Sequence, residues 1–116
     1  MDELDALSAF GALSQSTRMA TLRLLIQREP KGVAAGELAR LVNVPQNTMS
    51  AHLAVLVRSG LIIGERHSRS IIYRAHVPQL RELMTFLMDD CCGGRSDLCA
   101  PVFADSRSCK TSKTKG

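Results

Sequence analysis

The chain has 116 residues, of which 45% are hydrophobic, so it is long enough for one globular domain and too short for two. Aromatic residues make up only 3% of the sequence, and this scarcity favours a core of helices packed through aliphatic side chains. The net charge is +4, the acidic first residues exclude a secretory signal, and the short apolar runs exclude a membrane-spanning helix.

The positive charge is concentrated in the middle of the sequence. Between residues 37 and 76 the acidic residues are Glu37 and Glu65, and the arginines outnumber them. These arginines are Arg40, Arg58, Arg66, Arg69 and Arg74. A basic segment between two acidic ones indicates contact with nucleic acid, although arginines spread over a solvated surface give a similar pattern.

Apolar residues at helical spacing predict three helices in the first part of the chain. The stripe of the first helix consists of Leu4, Leu7, Phe10 and Leu13. Ser16 is the expected N-cap of the second helix, which Glu29-Pro30-Lys31-Gly32 ends. A short third helix, AGELARLVN, is expected to turn three apolar side chains inward, those of Leu38, Leu41 and Val42.

A fourth helix is predicted after the tight connection NVPQN, with Pro45 at its first turn and Gly60 after its end. One side of this helix is expected to be buried and carries Met49, Leu53, Leu56 and Val57. The opposite side carries small or polar residues, which are Asn47, Ser50, Ala51, Ala54 and Arg58. Such a slim face fits the major groove of DNA, but it is also typical of an ordinary solvated helix.

The segment LIIGERHSRSIIYRA predicts a β-hairpin with strands at residues 61–65 and 70–75. Its basic tip consists of Arg66, His67, Ser68 and Arg69. A last helix is predicted after Pro78, with an apolar stripe of Leu80, Leu83, Met84, Leu87 and Met88. Helices and a hairpin in this order predict a winged helix-turn-helix, mostly α with a β-hairpin wing, whose fourth helix enters the major groove.

Three stretches of the sequence resemble the ArsR/SmtB family of metal- and metalloid-responsive repressors. They are ALSQSTRMATLRLL at residues 12–25, AGELARLVNVPQNTMSAHLAVLVRSGLI at residues 35–62 and IIYRA at residues 71–75. The resemblance implies a homodimer, formed by the first and last helices, on an inverted-repeat operator in double-stranded DNA. It implies that a bound metal drives release from DNA. The interface residues expected on this basis are Leu4, Leu7, Leu80, Leu83 and Leu87. For the stripe of Leu80, Leu83 and Leu87, a role in core packing fits equally well.

The residues expected to contact DNA lie on the fourth helix and at the wing tip. Four of them are expected to read the groove: Asn47, Thr48, Ser50 and Ala51. Gln46 and Arg58 are expected to hold the DNA backbone, and Arg66 and Arg69 to anchor the wing. His52 is expected to contact a phosphate or to pack. The wing departs from the family at Ser68, where glycine is usual, which leaves the turn type open.

Three of the four cysteines lie close together in DDCCGGRSDLC, residues 89–99. Because Gly93 and Gly94 break the helix, Cys99 can approach Cys91 and Cys92, and three thiolates can surround one soft ion. The spacing fits tetrahedral zinc poorly, and adjacent cysteines fit a disulfide poorly, whereas arsenite and antimonite take three sulfurs. Arsenic-responsive members of the family have a similar C-terminal arrangement. These three cysteines are therefore the expected metal site, with arsenite or antimonite as inducer and no organic cofactor.

Other functions stay open at this point. Cadmium, lead or zinc, or a thiol-redox signal, would act on a repressor of the same fold. A metalloid buffer with a vestigial DNA reader is a further alternative. A thiol oxidoreductase is disfavoured because no Cys-x-x-Cys opens a helix, so we expect no enzyme. The expected protein is cytoplasmic, with a DNA-binding and dimerisation domain at 1–92, a ligand-binding loop at 93–104 and a disordered basic tail at 105–116 that contains Cys109.

Overall fold

A computed structural model describes residues 1–90 of the chain, without the side chains of residues 89 and 90. The helices are α1 (Glu3–Leu13), α2 (Ser16–Gln27), α3 (Ala35–Val42), α4 (Gln46–Arg58) and α5 (Val77–Thr85). The strands are β1 (Val33–Ala34), β2 (Ile62–His67) and β3 (Ser70–Ala75). A π-helical segment, Phe86–Asp90, continues α5. The prediction of a mostly helical winged helix-turn-helix is confirmed.

Side-chain caps explain where the first two helices begin. Asp2 accepts a hydrogen bond of 2.8 Å from the backbone N–H of Asp5, which satisfies one of the free amides of α1. At α2 the N-cap is Gln15, whose side chain accepts from the backbone N–H of Arg18 at 2.9 Å. The prediction that Ser16 is this cap was wrong, because the longer Gln15 side chain reaches the same amide from one residue earlier.

The sheet has three antiparallel strands in the order β1-β3-β2. The hairpin strands pair from Ile62 opposite Ala75 to His67 opposite Ser70, so β2 extends two residues beyond its predicted end. The turn consists of Ser68 and Arg69, and Ser68 has a φ of 60°. A positive φ at the first central position alone is the type II′ pattern, which settles the turn type. Sequence periodicity did not predict β1, which has only two residues.

The core forms where α2, α3 and α4 meet the sheet. Met49, Leu53 and Leu56 are almost completely buried, as predicted. Val57 is 42% exposed, because it lies at the edge of the stripe that these three residues define at helical spacing. Leu41 is 37% exposed, since it lies at the edge of the side of α3 that buries Leu38 and Ala39. The predictions that Val57 and Leu41 face inward were wrong.

Helix α1 packs on the core through its small residues and exposes its large ones. The buried side consists of Ala6, Ala9 and Ala12. By contrast, Leu4 is 76% exposed and Leu7 is 58% exposed. This exposed apolar side of α1 has no covering element within residues 1–90.

Helix α5 begins at Val77, one residue before Pro78, and divides its apolar residues between the core and the surface. Leu83 belongs to the core of the protomer and Leu80 packs partly against it, whereas Leu87 stays 36% exposed. Leu83 therefore has the core-packing role that the sequence left open as the alternative to a place at the dimer interface. None of the helices described in residues 1–90 is long and apolar enough to cross a membrane.

Candidate nucleic-acid interface

The exposed side of α4 follows a tight turn between two helices. Asn43 ends α3 in the left-handed conformation, with φ 66° and ψ 51°, and its N–H donates to the carbonyl of Ala39 at 2.9 Å. Pro45 is the N-cap of α4, and its φ of −59° is the one that the proline ring imposes. This short connection sets α4 against α3 as the second helix of a helix-turn-helix.

The expected DNA-reading residues share the exposed side of α4. The exposed residues on this side are Gln46, Asn47, Thr48, Ser50, Ala51, Ala54 and Arg58. Asn47 accepts a hydrogen bond of 2.9 Å from the backbone N–H of Thr48, which leaves its amide N–H groups free to donate outward. In the described part of the chain, the side chains of Gln46, Ser50 and Arg58 have no hydrogen-bond partner. The α4 face therefore offers uncommitted donors on a surface of small side chains.

His52 differs from its neighbours on α4. It is only half exposed, and its Nδ1 lies 3.3 Å from Nη1 of Arg18 on α2. Since a guanidinium can only donate, Nδ1 accepts and the ring proton is assigned to Nε2. One edge of the His52 ring is thus committed to the protein, which the sequence did not reveal.

The tip of the wing carries two free arginines. Arg66 and Arg69 are exposed, and neither side chain has a hydrogen bond or an ion pair within residues 1–90. Next to the turn, Nε2 of His67 lies 3.6 Å from Oε1 of Glu65. A hairpin with unpaired arginines at its end can place positive charge against DNA phosphates.

Arg74, in contrast, is fully engaged inside the wing. It donates to both carboxylate oxygens of Glu29, from Nη2 at 2.9 Å and from Nε at 3.2 Å. Its Nη1 lies 3.5 Å from Oε2 of Glu65 on β2. The hydrogen bonds from Arg74 lower the pKa of Glu29 below its ordinary value, and the same pairing raises the pKa of Arg74. Arg74 therefore holds the wing to the turn after α2 instead of facing DNA.

Sequence reasoning missed the residues at the base of the wing. Glu29 and Gly32 both lie in the segment that appeared only to end α2. Gly32 has a φ of 77°, and a Cβ there would lie 2.6 Å from the carbonyl oxygen of Tyr73. The positive φ and the close approach of β3 together require glycine. Only the Pro-Gly composition of this segment signalled a special backbone.

The expected metal site cannot be placed. Cys91, Cys92 and Cys99 lie outside the described residues, as do Cys109 and the segments 93–104 and 105–116. Within residues 1–90, no group of three histidine, cysteine, aspartate or glutamate side chains could hold a metal ion.

A tight helix-turn-helix, an exposed slim face on its second helix and a basic antiparallel hairpin together define a winged helix-turn-helix DNA-binding domain. A family model described as a helix-turn-helix domain matches residues 13–65. A search of curated proteins gives no match.

Solved structures show the same fold. An ArsR-like transcriptional regulator from Rhodococcus sp. RHA1 is 26% identical with a TM-score of 0.66, over 89% of this chain and 92% of that chain. A possible transcriptional regulatory protein from Mycobacterium bovis is 30% identical with a TM-score of 0.58, over 69% and 84%. The homodimeric winged helix-turn-helix DNA-binding domain Mb0332 from Mycobacterium bovis, a possible ArsR-family transcriptional regulator, is 25% identical with a TM-score of 0.59, over 76% and 82%. By these comparisons the chain is similar to winged helix-turn-helix transcriptional regulators of the ArsR family.

Proposed function

We propose that this protein is a metalloid-responsive transcriptional repressor. It binds operator DNA as a homodimer when metal-free, and it releases the DNA when arsenite or antimonite binds to Cys91, Cys92 and Cys99. The observation that carries the DNA-binding half of this proposal is the exposed side of α4, which has small residues and free donors and is followed in the chain by an arginine-tipped wing.

The contacts divide into two kinds. Asn47, Thr48, Ser50 and Ala51 read base edges in the major groove, where short side chains let the helix approach closely. Gln46 and Arg58, at the two ends of α4, bind the DNA backbone. Arg66 and Arg69 bind phosphates beside the groove, and they supply affinity without sequence information.

The exposed leucines of α1 support the homodimer. Leu4 and Leu7 are large apolar residues that the protomer leaves in water, while the alanines on the other side of α1 fill its core. Leu87, in the π-helical segment after α5, adds apolar surface. Leu80, seven residues earlier in α5, is also partly exposed. When two protomers join through these surfaces, the apolar side chains are removed from water. The proposed dimer then presents two α4 helices to successive turns on one face of the DNA. This arrangement fits an inverted repeat.

The composition of the C-terminal segment supports the metalloid as the signal. Three thiolates are a soft donor set that suits trivalent arsenic, and the described residues contain no competing metal cluster. Cys91 directly follows Asp90 in the sequence, and the π-helical segment Phe86–Asp90 continues α5. Ligand binding by the thiols is therefore proposed to act on the end of α5. The protein is proposed to work in the cytoplasm, where these thiols stay reduced.

The test has two parts. When the reduced, metal-free protein selects duplexes from a random pool, an inverted repeat should be enriched. If no sequence is enriched, the proposed function as a repressor is contradicted. Titration with arsenite should protect three thiols per chain, and Cys91→Ser or Cys99→Ser should abolish this, whereas Cys109→Ser should not. If only cadmium or zinc protects the thiols, the proposed signal would be a divalent ion instead of a metalloid. The proposed role of α4 in reading DNA would stay unchanged.

A further inference from the structure

The side chain of Arg18 joins three helices. Its Nε donates to the carbonyl oxygen of Ala12, in the last turn of α1, at 2.6 Å. Its Nη1 donates to Nδ1 of His52, in the middle of α4, at 3.3 Å. Its own backbone N–H, in the first turn of α2, donates to the side chain of Gln15. Arg18 therefore ties the end of α1 to the DNA-reading helix.

The electrostatics of this junction favour an arginine. The last turn of α1 has no basic residue of its own, and its free carbonyl groups carry partial negative charge. Arg18 supplies the missing positive charge from α2. In the described part of the chain it has no carboxylate partner, so its guanidinium is committed to the carbonyl of Ala12 and the ring of His52. This pairing gives the guanidinium a fixed direction, from α1 toward α4.

We infer that Arg18 is a positioning residue, which sets the orientation of α4 relative to α1 through His52. The inference rests on the proposed function, because it matters only if α1 forms the dimer and α4 reads DNA. Two α4 helices reach successive major grooves only when each is held at a fixed angle to the dimer axis. Arg18 fixes that angle within each protomer, and His52 acts through Arg18 and not through a contact with DNA.

Two substitutions of His52 separate positioning from direct contact. Asparagine places an acceptor near the position of Nδ1, so His52→Asn keeps the partner of Arg18. Glutamine reaches the position of Nε2, so His52→Gln keeps a donor directed outward and loses the acceptor for Arg18. Both variants retain Arg18 and alter no core residue.

The experiment measures the affinity of purified full-length variants for the duplex that the wild-type protein selects, and for a duplex with one of its two half-sites. Arg18→Ala should weaken binding to the complete duplex by about tenfold or more, as expected for loss of a charged hydrogen bond, and binding to one half-site by less than about twofold. His52→Asn should stay near the wild type, and His52→Gln should behave like Arg18→Ala. Arg23→Ala is the matched control, because Arg23 is an exposed arginine on the same helix without a partner in residues 1–90.

Three results would overturn the inference. In the first, Arg18→Ala binds the complete duplex as Arg23→Ala does. In the second, His52→Gln keeps the affinity and His52→Asn loses it, which would make His52 a direct DNA contact. In the third, Arg18→Ala loses equal affinity for one and two half-sites. Circular dichroism and urea unfolding check folding, and the two His52 variants decide the question if Arg18→Ala does not fold. If the wild-type protein selects no duplex, the proposed function fails as well.

Discussion

Glu29, in the turn after α2, accepts two hydrogen bonds from Arg74, 45 residues later on the wing strand β3. The two side chains are mostly buried, with 21% and 30% of their surfaces exposed. A paired carboxylate and guanidinium at this position hold the wing at a fixed angle to the helical core. The wing tip can then present Arg66 and Arg69 in one orientation.

The Glu29–Arg74 pair should make stability depend on pH. The pKa of Glu29 is lowered in the folded protein from its ordinary value of 4.5, first by the hydrogen bonds of Arg74. The pair therefore stabilises the fold above the ordinary carboxyl pKa, and this contribution is lost as pH falls through the lowered value. Urea unfolding should show the wild type more stable than Glu29→Gln at about pH 7 and a much smaller difference at about pH 3.

Glu37→Gln is the control for this measurement. Glu37 also has a lowered pKa, caused by Arg40, but the two side chains are 43% and 68% exposed. Because solvent screens an exposed pair, its removal should change the free energy of unfolding less than Glu29→Gln at neutral pH. A larger effect from Glu37 would contradict the structural role given to Glu29.

The free arginines of the wing should supply affinity that does not depend on sequence. Arg69→Ala should weaken binding to every duplex and reduce the slope of log affinity against log salt by about 0.9, the value for one lost phosphate contact. Arg66→Ala should do the same, and Arg23→Ala should leave the slope unchanged. Loss of affinity for one sequence only would assign Arg69 to base reading.

The two sides of α4 should respond differently to truncation. Leu53 is 1% exposed, so Leu53→Ala should lower the free energy of unfolding by about 2–5 kcal/mol through lost burial and a cavity. Val57 is 42% exposed, so Val57→Ala should change the free energy of unfolding by no more than about 0.5 kcal/mol. Equal effects in urea unfolding would mean that Val57 is buried, as its sequence spacing suggested.

The exposed side of α1 should be needed for dimer formation and not for folding of the protomer. Leu7→Glu places a charge on an exposed apolar surface, so it should shift sedimentation toward the monomer while the helical circular dichroism is retained. Ile26→Glu is the matched control, because Ile26 is 44% exposed on α2 and lies outside the proposed interface. A Leu7→Glu variant that sediments as the wild type does would rule out α1 as the interface.

Local sequence pattern predicted the helices, the hairpin and the buried side of α4, because periodicity and turn residues act over a few residues. It did not predict the pairs Glu29–Arg74 and Arg18–His52, whose partners lie far apart in sequence and have no shared local signal. It also wrongly predicted that Leu41 and Val57 face inward, since the spacing of apolar residues along a helix does not show how much of that helix its neighbours cover. The residues that hold α4 and the wing in place thus became visible only in the structure.

The most direct test of the proposed repressor is the affinity of the reduced protein for its selected duplex, followed by fluorescence anisotropy during titration with arsenite. We predict tight binding without arsenite, and release as arsenite occupies one site per chain. The variants Cys91→Ser and Cys99→Ser should bind the duplex and remain bound in arsenite, whereas Cys109→Ser should release it. Arsenite that binds the three thiols and leaves the affinity for DNA unchanged would contradict the account.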